Sequence, residues 1–361
     1  MGAVAPIVGG HDAVSGAWPD AVAVYANGEL TCAGVLIAPD VVVTAGHCCG
    51  IAGSKLDPPP DHVIIGARQL SAPADGETID VRTAIPHPSH TTDLDVGLLM
   101  LASPSTKPPR ALATGWAAAE AHDGATATIA GWGATMSGAS TGSDILQEAD
   151  VPIVEGSCTS VALGCRAVLM PGGELRAGGG GVDTCVGDSG GPLYVHAPYG
   201  TFLAATTYAG YVTSGATCGD GGIYERADAF ITWAEQASGR TFARAAGPTA
   251  APIEVIVGAR GTSAIVVNDP IATAAHTFEL ATPPAKGAAT VDDSGLVTYD
   301  ARDPGTDTIV VRVHDAATPA RAAQVSIDVT VGPGGCCDAR GGRGSLLPIA
   351  VVALALRRRR R

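Results

Sequence analysis

Short runs of apolar residues, broken by turns, recur along most of the chain. Between Ala17 and His47 such runs alternate with polar positions, and Asn27-Gly28 and Ala38-Pro39-Asp40 interrupt them. An Asn-Gly pair between two runs is a hairpin signal, because both residues accept the positive φ that a two-residue turn requires. The pattern therefore predicts short antiparallel strands joined by tight turns.

One segment has a helical pattern, and the character of the chain changes after it. Arg226 to Gln236 places Phe230 and Trp233 on one face, which is typical of an amphipathic helix. Residues 245–252 are rich in Ala, Gly and Pro and predict a linker. The β-branched runs beyond it predict an antiparallel β-sandwich; they lie at Ile253 to Val257, Ala264 to Val267, Leu296 to Tyr299, Thr308 to Val313 and Gln324 to Val331.

Composition supports a multidomain, exported β protein. The 361 residues, 46% of them hydrophobic, are enough for more than one core. A net charge of −13 gives no basic surface, so nucleic acid is excluded as a partner. The nine cysteines predict disulfides and hence export, since no Cys-x-x-Cys pair accompanies a histidine cluster. Residues 1–6 contain no recognisable signal peptide.

Three separate stretches carry the groups of a nucleophilic catalyst. Ser189 lies between glycines, and the N–H groups of Gly187 and Ser189 are placed to bind an oxyanion together. This stretch alone is also compatible with a Gly-rich turn. His47 in Thr-Ala-Gly-His-Cys and Asp95 in Asp-Val-Gly-Leu-Leu supply a base and an orienting acid. The chain order is therefore His, Asp, Ser.

These motifs resemble the trypsin/chymotrypsin family of serine endopeptidases across roughly residues 7 to 240. The resemblance implies an all-β fold: two six-stranded antiparallel β-barrels of the trypsin type, here followed by a small β-sandwich. It assigns His47 as the base and Ser189 as the nucleophile. Asp93 and Asp95 compete for the role of the acid, and Asp95 is preferred because the residues after it match the family pattern.

The resemblance also implies activation by cleavage before Ile7. In this family the freed α-ammonium pairs with the Asp before the catalytic serine, which is Asp188 here. The residue before the cut is Pro6, where family zymogens usually have Arg or Lys. We therefore expect a zymogen and a separate activating protease.

Four residues are expected to form the specificity pocket by the same resemblance. Asp183 corresponds to the floor, where a carboxylate in a poorly hydrated slot selects Arg or Lys. A turn-forming aspartate is the alternative interpretation. Gly222 corresponds to the far wall, and Tyr208 and Ala209 stand where the family usually has Trp-Gly at the mouth.

Three disulfides are implied, and no cofactor is expected. Two match the family, whereas the third closes a loop of only seven residues and departs from it; the pairs are Cys32–Cys48, Cys185–Cys218 and Cys158–Cys165. Cys49 has no obvious partner. Some relatives bind calcium in a loop that here carries Asp75, Glu77 and Asp80, but a solvated loop is the preferred interpretation, so no metal is expected.

The sequence predicts a pro-segment remnant at 1–6, a protease domain at 7–242, a linker at 243–252, a β-sandwich at 253–332 and a tail at 333–361. The sandwich loosely resembles bacterial immunoglobulin-like or cadherin-like modules. The tail, with Cys336 and Cys337 before an apolar run and five arginines, resembles the myxobacterial-type C-terminal sorting signal. Its eleven apolar residues fall short of a bilayer core of about 30 Å. A plain tail anchor is the alternative.

The preferred function is a secreted or surface-attached serine endopeptidase that cuts protein or peptide substrates after Arg or Lys. Its other expected partners are the activating protease and tail-processing machinery at the membrane. One alternative is a catalytically silent binding protein with the protease fold, which the intact triad argues against. The other is an esterase with a nucleophile elbow, which the chain order of the triad and the scarcity of helices argue against.

Overall fold

The structure is a computed structural model that describes residues 6–50, 58–139, 141–211, 214–271 and 275–334. It consists mostly of β-strands. The first thirteen are β1 His11–Asp12, β2 Ala21–Ala26, β3 Glu29–Ala38, β4 Val41–Ala45, β5 His62–Ile65, β6 Glu77–Pro86, β7 Val96–Leu101, β8 Thr126–Gly131, β9 Gln147–Glu155, β10 Glu174–Ala177, β11 Pro192–Ala197, β12 Gly200–Gly210 and β13 Gly222–Arg226.

Helices are short and few in the described ranges. A helical turn spans Gly115–Ala119, and the amphipathic helix that the sequence predicts spans Ala227–Ser238, with Phe230 buried. Three 3₁₀ turns lie at Gly46–Cys49, Val161–Leu163 and Ala167–Leu169. The segment Pro6–Gly9 is a turn rather than a regular helix, because Ile7 and Val8 have non-helical φ and ψ angles.

The first barrel is closed by six strands in the order β2-β3-β4-β7-β6-β5. Its opening hairpin joins β2 to β3 through Asn27 and Gly28, whose φ angles are 53° and 77°. Both positive values are those of a two-residue hairpin turn, as the sequence pattern predicts. The apolar residues between these turns line the interior of the barrel and its contact with the second barrel.

The second barrel closes because β8 pairs with both β11 and β9. Its strands follow the order β9-β10-β13-β12-β11-β8, and β1 is added along the free edge of β9. The prediction of two six-stranded antiparallel barrels is therefore confirmed. The end of β4 lies near the beginnings of β7 and β11. The residues that follow β4 and those that precede β7 and β11 therefore meet between the barrels.

The C-terminal strands form two further sheets. They are β14 Ile253–Ile256, β15 Arg260–Ala264, β16 His276–Thr282, β17 Gly287–Val291, β18 Leu296–Ala301, β19 Gly305–Asp315 and β20 Ala322–Gly332. One sheet has the order β14-β20-β19-β16 and the other β15-β18-β17. Their apolar faces share one core.

Two details of this C-terminal module differ from the sequence prediction. Strand β14 pairs parallel to β20, so the sheets are not wholly antiparallel. This pairing is possible because the whole module separates the two strands along the chain, and such a long connection lets them run in the same direction. Only Ala264 of the run predicted at Ala264 to Val267 belongs to β15. Val266 instead forms an isolated β-bridge with Thr249, in the predicted linker.

The module packs against the two-barrel part of the chain through the helical turn Gly115–Ala119. Trp116 is fully buried in the core of the module, and its indole N–H donates to the carbonyl of Val267 at 2.7 Å. The guanidinium of Arg321 lies 4.6 Å from the centre of the same ring and pairs with Glu120 at 2.8 Å. The interface is therefore an aromatic anchor with an ion pair beside it.

The described residues include no helix that is both long and apolar enough to span a bilayer. Cys336, Cys337 and the apolar run of the tail lie outside the described residues, as do the first five residues of the chain. The domain boundaries stay predictions.

Candidate active site

Strand pairing brings His47 and Asp95 together. His47 lies in the 3₁₀ turn after β4, Asp95 directly precedes β7, and the two strands are paired up to Ala45 and Val96. Asp95 Oδ2 lies 2.5 Å from His47 Nδ1, and Oδ1 accepts the main-chain N–H of His47 at 2.8 Å. Asp95 is 2% exposed, whereas Asp93 is only half-buried. Asp95 thus fixes the imidazole and leaves Nε2 for another partner.

Ser189 lies half-buried in the loop before β11, packed against the first barrel. Its carbonyl accepts the N–H of Ala33 at 2.9 Å. At Gly190, where φ is +79°, an added Cβ would lie 2.3 Å from Thr44 Oγ1 and 2.4 Å from the nitrogen of Ala45. Only glycine permits this approach. The contact places residues 187–191, called the serine loop below, against β4, the strand that leads directly to His47.

Two main-chain N–H groups of the serine loop are left without an acceptor among the residues described. The N–H groups of Asp188, Gly190 and Gly191 donate to the carbonyls of Cys185, Thr207 and Asp188. Those of Gly187 and Ser189 have no such partner within the described ranges. Unsatisfied donors beside a half-buried serine are available to a ligand oxygen.

Asp183, the predicted floor of the specificity pocket, lies in the segment between β10 and β11. It is fully buried, and its Oδ2 accepts the N–H groups of Gly219 and Gly221 at 3.0 and 3.1 Å. Its Oδ1 has no hydrogen-bond partner among the described residues. Burial raises the pKa of Asp183, and the charge of Asp220 raises it further. A cation that binds here would donate a hydrogen bond to Oδ1 of Asp183 and would be attracted by the negative charges of Asp183 and Asp220.

The other residues predicted for the specificity pocket lie on β12 and β13. Gly222 is buried at the start of β13, and β12 pairs with β13 on both sides of Tyr208 with a register shift there. Tyr208 and Ala209 are both half-buried. The structure therefore brings Tyr208, Ala209, Gly222 and Asp183 to neighbouring strands and loops of the second barrel.

Asp188 is a fully buried carboxylate held by main-chain donors. Its Oδ1 accepts the N–H of Gly133 at 2.8 Å, and its Oδ2 accepts that of Cys185 at 2.9 Å. Burial raises its pKa to about 7 despite these bonds. The Ile7 side chain is also fully buried, and the carbonyl of Val8 accepts the N–H of Asp183 at 3.0 Å. The N-terminal segment is thus inserted beside the serine loop.

The cysteines pair as the resemblance implies. Disulfides join Cys32 to Cys48, Cys158 to Cys165 and Cys185 to Cys218. Cys49 is a buried free thiol, and burial raises its pKa to about 12.

The acidic loop near β6 is occupied by donors of the chain itself. The Lys107 ammonium contacts the carbonyl of Asp75, and Glu77 accepts the hydroxyl of Ser105 at 2.6 Å. Asp80 is exposed. These contacts favour a self-contained loop and supply no argument for calcium.

Sequence reasoning missed one contact of the triad. Glu225, in β13, accepts the main-chain N–H of Asp95 at 2.9 Å and is fully buried. Its only sequence signal is its place directly after Gly222-Ile-Tyr224, the stretch that contains the predicted far wall of the pocket.

Comparisons with known proteins place this chain in one family. The sequence profile of the family described as Trypsin matches residues 7–234. A trypsin of Saccharopolyspora erythraea is 38% identical over 196 residues, covering 53% of this chain and 82% of that protein. A trypsin-like protease of Streptomyces glaucescens is 31% identical over 221 residues, covering 61% of this chain and 76% of that protein.

One vertebrate relative and one solved structure extend the comparison. Serine protease 56 of mouse is 33% identical over 243 residues, which cover 64% of this chain but only 38% of that protein. The structure of mouse neuropsin, described as a serine protease, superposes with a TM-score of 0.51 at 26% identity, covering 63% of this chain and 98% of that one. The chain belongs to the trypsin family and is a trypsin-like serine protease.

Proposed function

We propose that the protein is an exported serine endopeptidase that cuts after Arg or Lys and is made as a zymogen. The specificity is argued from one observation above all: Oδ1 of the buried Asp183 carboxylate has no hydrogen-bond partner among the described residues. The two main-chain donors on Oδ2 hold this carboxylate in place and leave Oδ1 as an acceptor for a basic side chain. A charge-assisted bond there favours Arg or Lys.

The catalytic step follows from the geometry of His47 and Asp95. With Nδ1 engaged by Asp95, Nε2 removes the proton from Ser189 Oγ as it attacks the substrate carbonyl. Asp95 stabilises the imidazolium that results, and His47 then protonates the leaving amine. Water repeats the sequence on the acyl-enzyme, with the N–H groups of Gly187 and Ser189 as donors to the oxyanion.

Activation is proposed from the burial of Ile7 and Asp188. A carboxylate with no cationic partner is costly to bury, and the raised pKa of Asp188 reflects this cost. Cleavage at Pro6–Ile7 would free an α-ammonium close to this carboxylate. The ion pair would then hold Asp188 and the serine loop in the active arrangement. A separate protease must make the cut, since Pro6 does not suit the proposed specificity.

Export and surface attachment are proposed on two grounds. Disulfide-bonded proteases of this family are typically extracellular, and this chain has three such bonds in its described part. The tail, with Cys336 and Cys337 followed by an apolar run and arginines, supports processing and attachment at the cell surface.

Labelling with a fluorophosphonate tests the central proposal. Protein beginning at Ile7 should react at Ser189 and hydrolyse amide as well as ester substrates. Failure to react would indicate a silent binding protein, and hydrolysis of esters alone would indicate an esterase. Ser189→Ala is the matched control, since it removes only the oxygen that reacts.

A further inference from the structure

A second group of buried acids lies behind the triad. Glu174 in β10 and Glu225 in β13 face each other directly in the antiparallel pairing of these strands. They are 1% and 0% exposed. Two like charges placed opposite each other in a sheet destabilise it, the more so when water is excluded. Such a pair needs a cation or a proton.

Arg166 supplies the cation. Its Nη2 lies 3.1 Å from Glu225 Oε1, and its main-chain N–H donates to Glu174 Oε2 at 2.8 Å. Its guanidinium also lies 3.7 Å from the centre of the Tyr208 ring, at the predicted mouth of the specificity pocket. Arg166 directly follows Cys165, so the short disulfide loop that departs from the family pattern holds this arginine in place. One arginine thus faces two buried acids and balances only one negative charge, so the pair holds a proton more readily than an isolated carboxyl would.

Glu225 connects this group to the triad. Its Oε1 accepts the main-chain N–H of Asp95 across 130 residues of sequence, in a bond of 2.9 Å. Asp95 in turn holds His47 at two points. The main chain of Asp95 is therefore held by Glu225 on one side while its carboxylate holds the imidazole on the other. Any movement of Glu225 would be passed to His47.

We propose that Glu225 is a positioning residue of the triad, which fixes Asp95 through its main-chain N–H and, balanced by Arg166, sets the negative charge behind it. This inference rests on the proposed roles of Ser189, His47 and Asp95. The same arginine packs on Tyr208, so the wall of the substrate pocket and the orienting acid share one support.

The burial of Glu225 among charged groups makes its charge depend on pH. Burial raises its pKa to about 8, Glu174 and Asp95 raise it by repulsion, and Arg166 opposes them. Below that pH the carboxyl is neutral and still accepts the Asp95 N–H. Above it the carboxylate adds a negative charge that favours the imidazolium formed on His47 during catalysis. Ionisation of Glu225 should therefore increase kcat/KM as pH rises through its pKa.

The experiment compares the mature enzyme with Glu225→Gln between pH 6 and 10. Glutamine keeps an oxygen acceptor but cannot ionise. The ratio of kcat/KM, parent over variant, should rise roughly 3- to 10-fold as pH passes about 8. Using the ratio cancels ionisations that both proteins share, including that of the N-terminal amine.

Glu155→Gln is the matched control. Glu155 also pairs with an arginine, Arg176, which lies over the ring of Tyr211, but its carboxylate accepts from Arg176 and Thr159 instead of Asp95. The ratio of kcat/KM, parent over Glu155→Gln, should not change with pH. Glu225→Met, which removes the acceptor, should lower kcat about 10- to 100-fold with little change in KM, because the imidazole is then less well placed.

The outcomes separate the two proposals. A parent enzyme that fluorophosphonate does not label would contradict the proposed function and this inference with it. A labelled parent whose kcat/KM equals that of Glu225→Gln at every pH would overturn the inference alone, because Glu225 would then contribute no charge to the triad. The Glu225→Gln ratio decides the matter even if Glu225→Met fails to fold.

Discussion

Asp95 holds His47 by two separate bonds, one to the imidazole at 2.5 Å and one to the main chain at 2.8 Å. Two contacts fix both the position and the rotation of the ring, which a single bond would leave free. The tautomer follows as well, since Nδ1 must carry the proton that faces the carboxylate. Catalysis then depends on the group as a unit.

Ser189→Ala and His47→Ala should each lower kcat for amide hydrolysis by about 10⁴- to 10⁶-fold. The double variant should be little slower than either, because neither residue acts without the other. Initial rates on a peptide amide measure this. Near-full activity of Ser189→Ala would show that another residue is the nucleophile.

Asp183→Ser should abolish most of the preference for Arg and Lys. A charge-assisted contact contributes roughly 1.5–3 kcal/mol, or about one to two decades in kcat/KM. Reaction with a fluorophosphonate should persist, since the triad is untouched. A peptide library profile of the unmutated enzyme provides the direct check. A preference there for small or aromatic side chains would refute the role of Asp183.

Protein beginning at Met1 should be nearly inactive, and protein beginning at Ile7 should be active. The free α-amine has an ordinary pKa of about 8. Pairing with Asp188 raises that value, so the active form is held below the raised pKa and lost as pH climbs through it. Equal activity of the two proteins at neutral pH would show that the N-terminus does not control this enzyme.

Asp188→Asn should change how the stability of the uncut protein depends on pH. Native Asp188 keeps its proton up to about pH 7, whereas in the unfolded chain it loses the proton near pH 4. The native state therefore binds more protons between these values, and the free energy of unfolding falls by about 4 kcal/mol across them. The asparagine variant should lack this fall.

Denaturant unfolding at pH 4, 5.5, 7 and 8.5 measures the difference in the free energy of unfolding between the parent and Asp188→Asn. This difference should grow up to about pH 7 and stay constant above it. Glu225 contributes a change of the same sign in both proteins and so cancels. A difference that is independent of pH would mean that Asp188 titrates normally.

Deleting residues 333–361 should release active enzyme into the medium, because the deletion removes the cysteines, the apolar run and the arginines together. Activity in cell and medium fractions measures the release. Replacing only Arg357 to Arg361 by glutamines separates the basic run from the cysteines. Unchanged retention of the full deletion on cells would contradict the sorting hypothesis.

The sequence predicted what local patterns encode. The hairpin at Asn27-Gly28 follows from a dipeptide that only a few turns accept, and the alternating runs around it fix the strands. His47, Asp95 and Ser189 each lie in a short motif with its own spacing. Such signals need no knowledge of distant parts of the chain.

The contacts that the sequence did not predict join distant segments. Glu225 and Asp95 are 130 residues apart, and neither lies in a pattern that indicates the other. In the sequence, Arg166 is only a charged residue that follows a cysteine. In the structure it lies between two buried acids, Glu174 and Glu225. The parallel pairing of β14 with β20 likewise joins the two ends of the C-terminal module, and alternation along a strand does not encode that pairing.

The burial of Trp116 in the core of the C-terminal module has a consequence for how the enzyme responds to a cut in its linker. A cut in the linker, by this protease or another, would not separate the two halves, because the indole and the Arg321–Glu120 pair join them independently of the chain. Nicked molecules would stay whole until denatured. A sample that looks like two fragments on a denaturing gel would thus still migrate as one particle in solution and keep its activity.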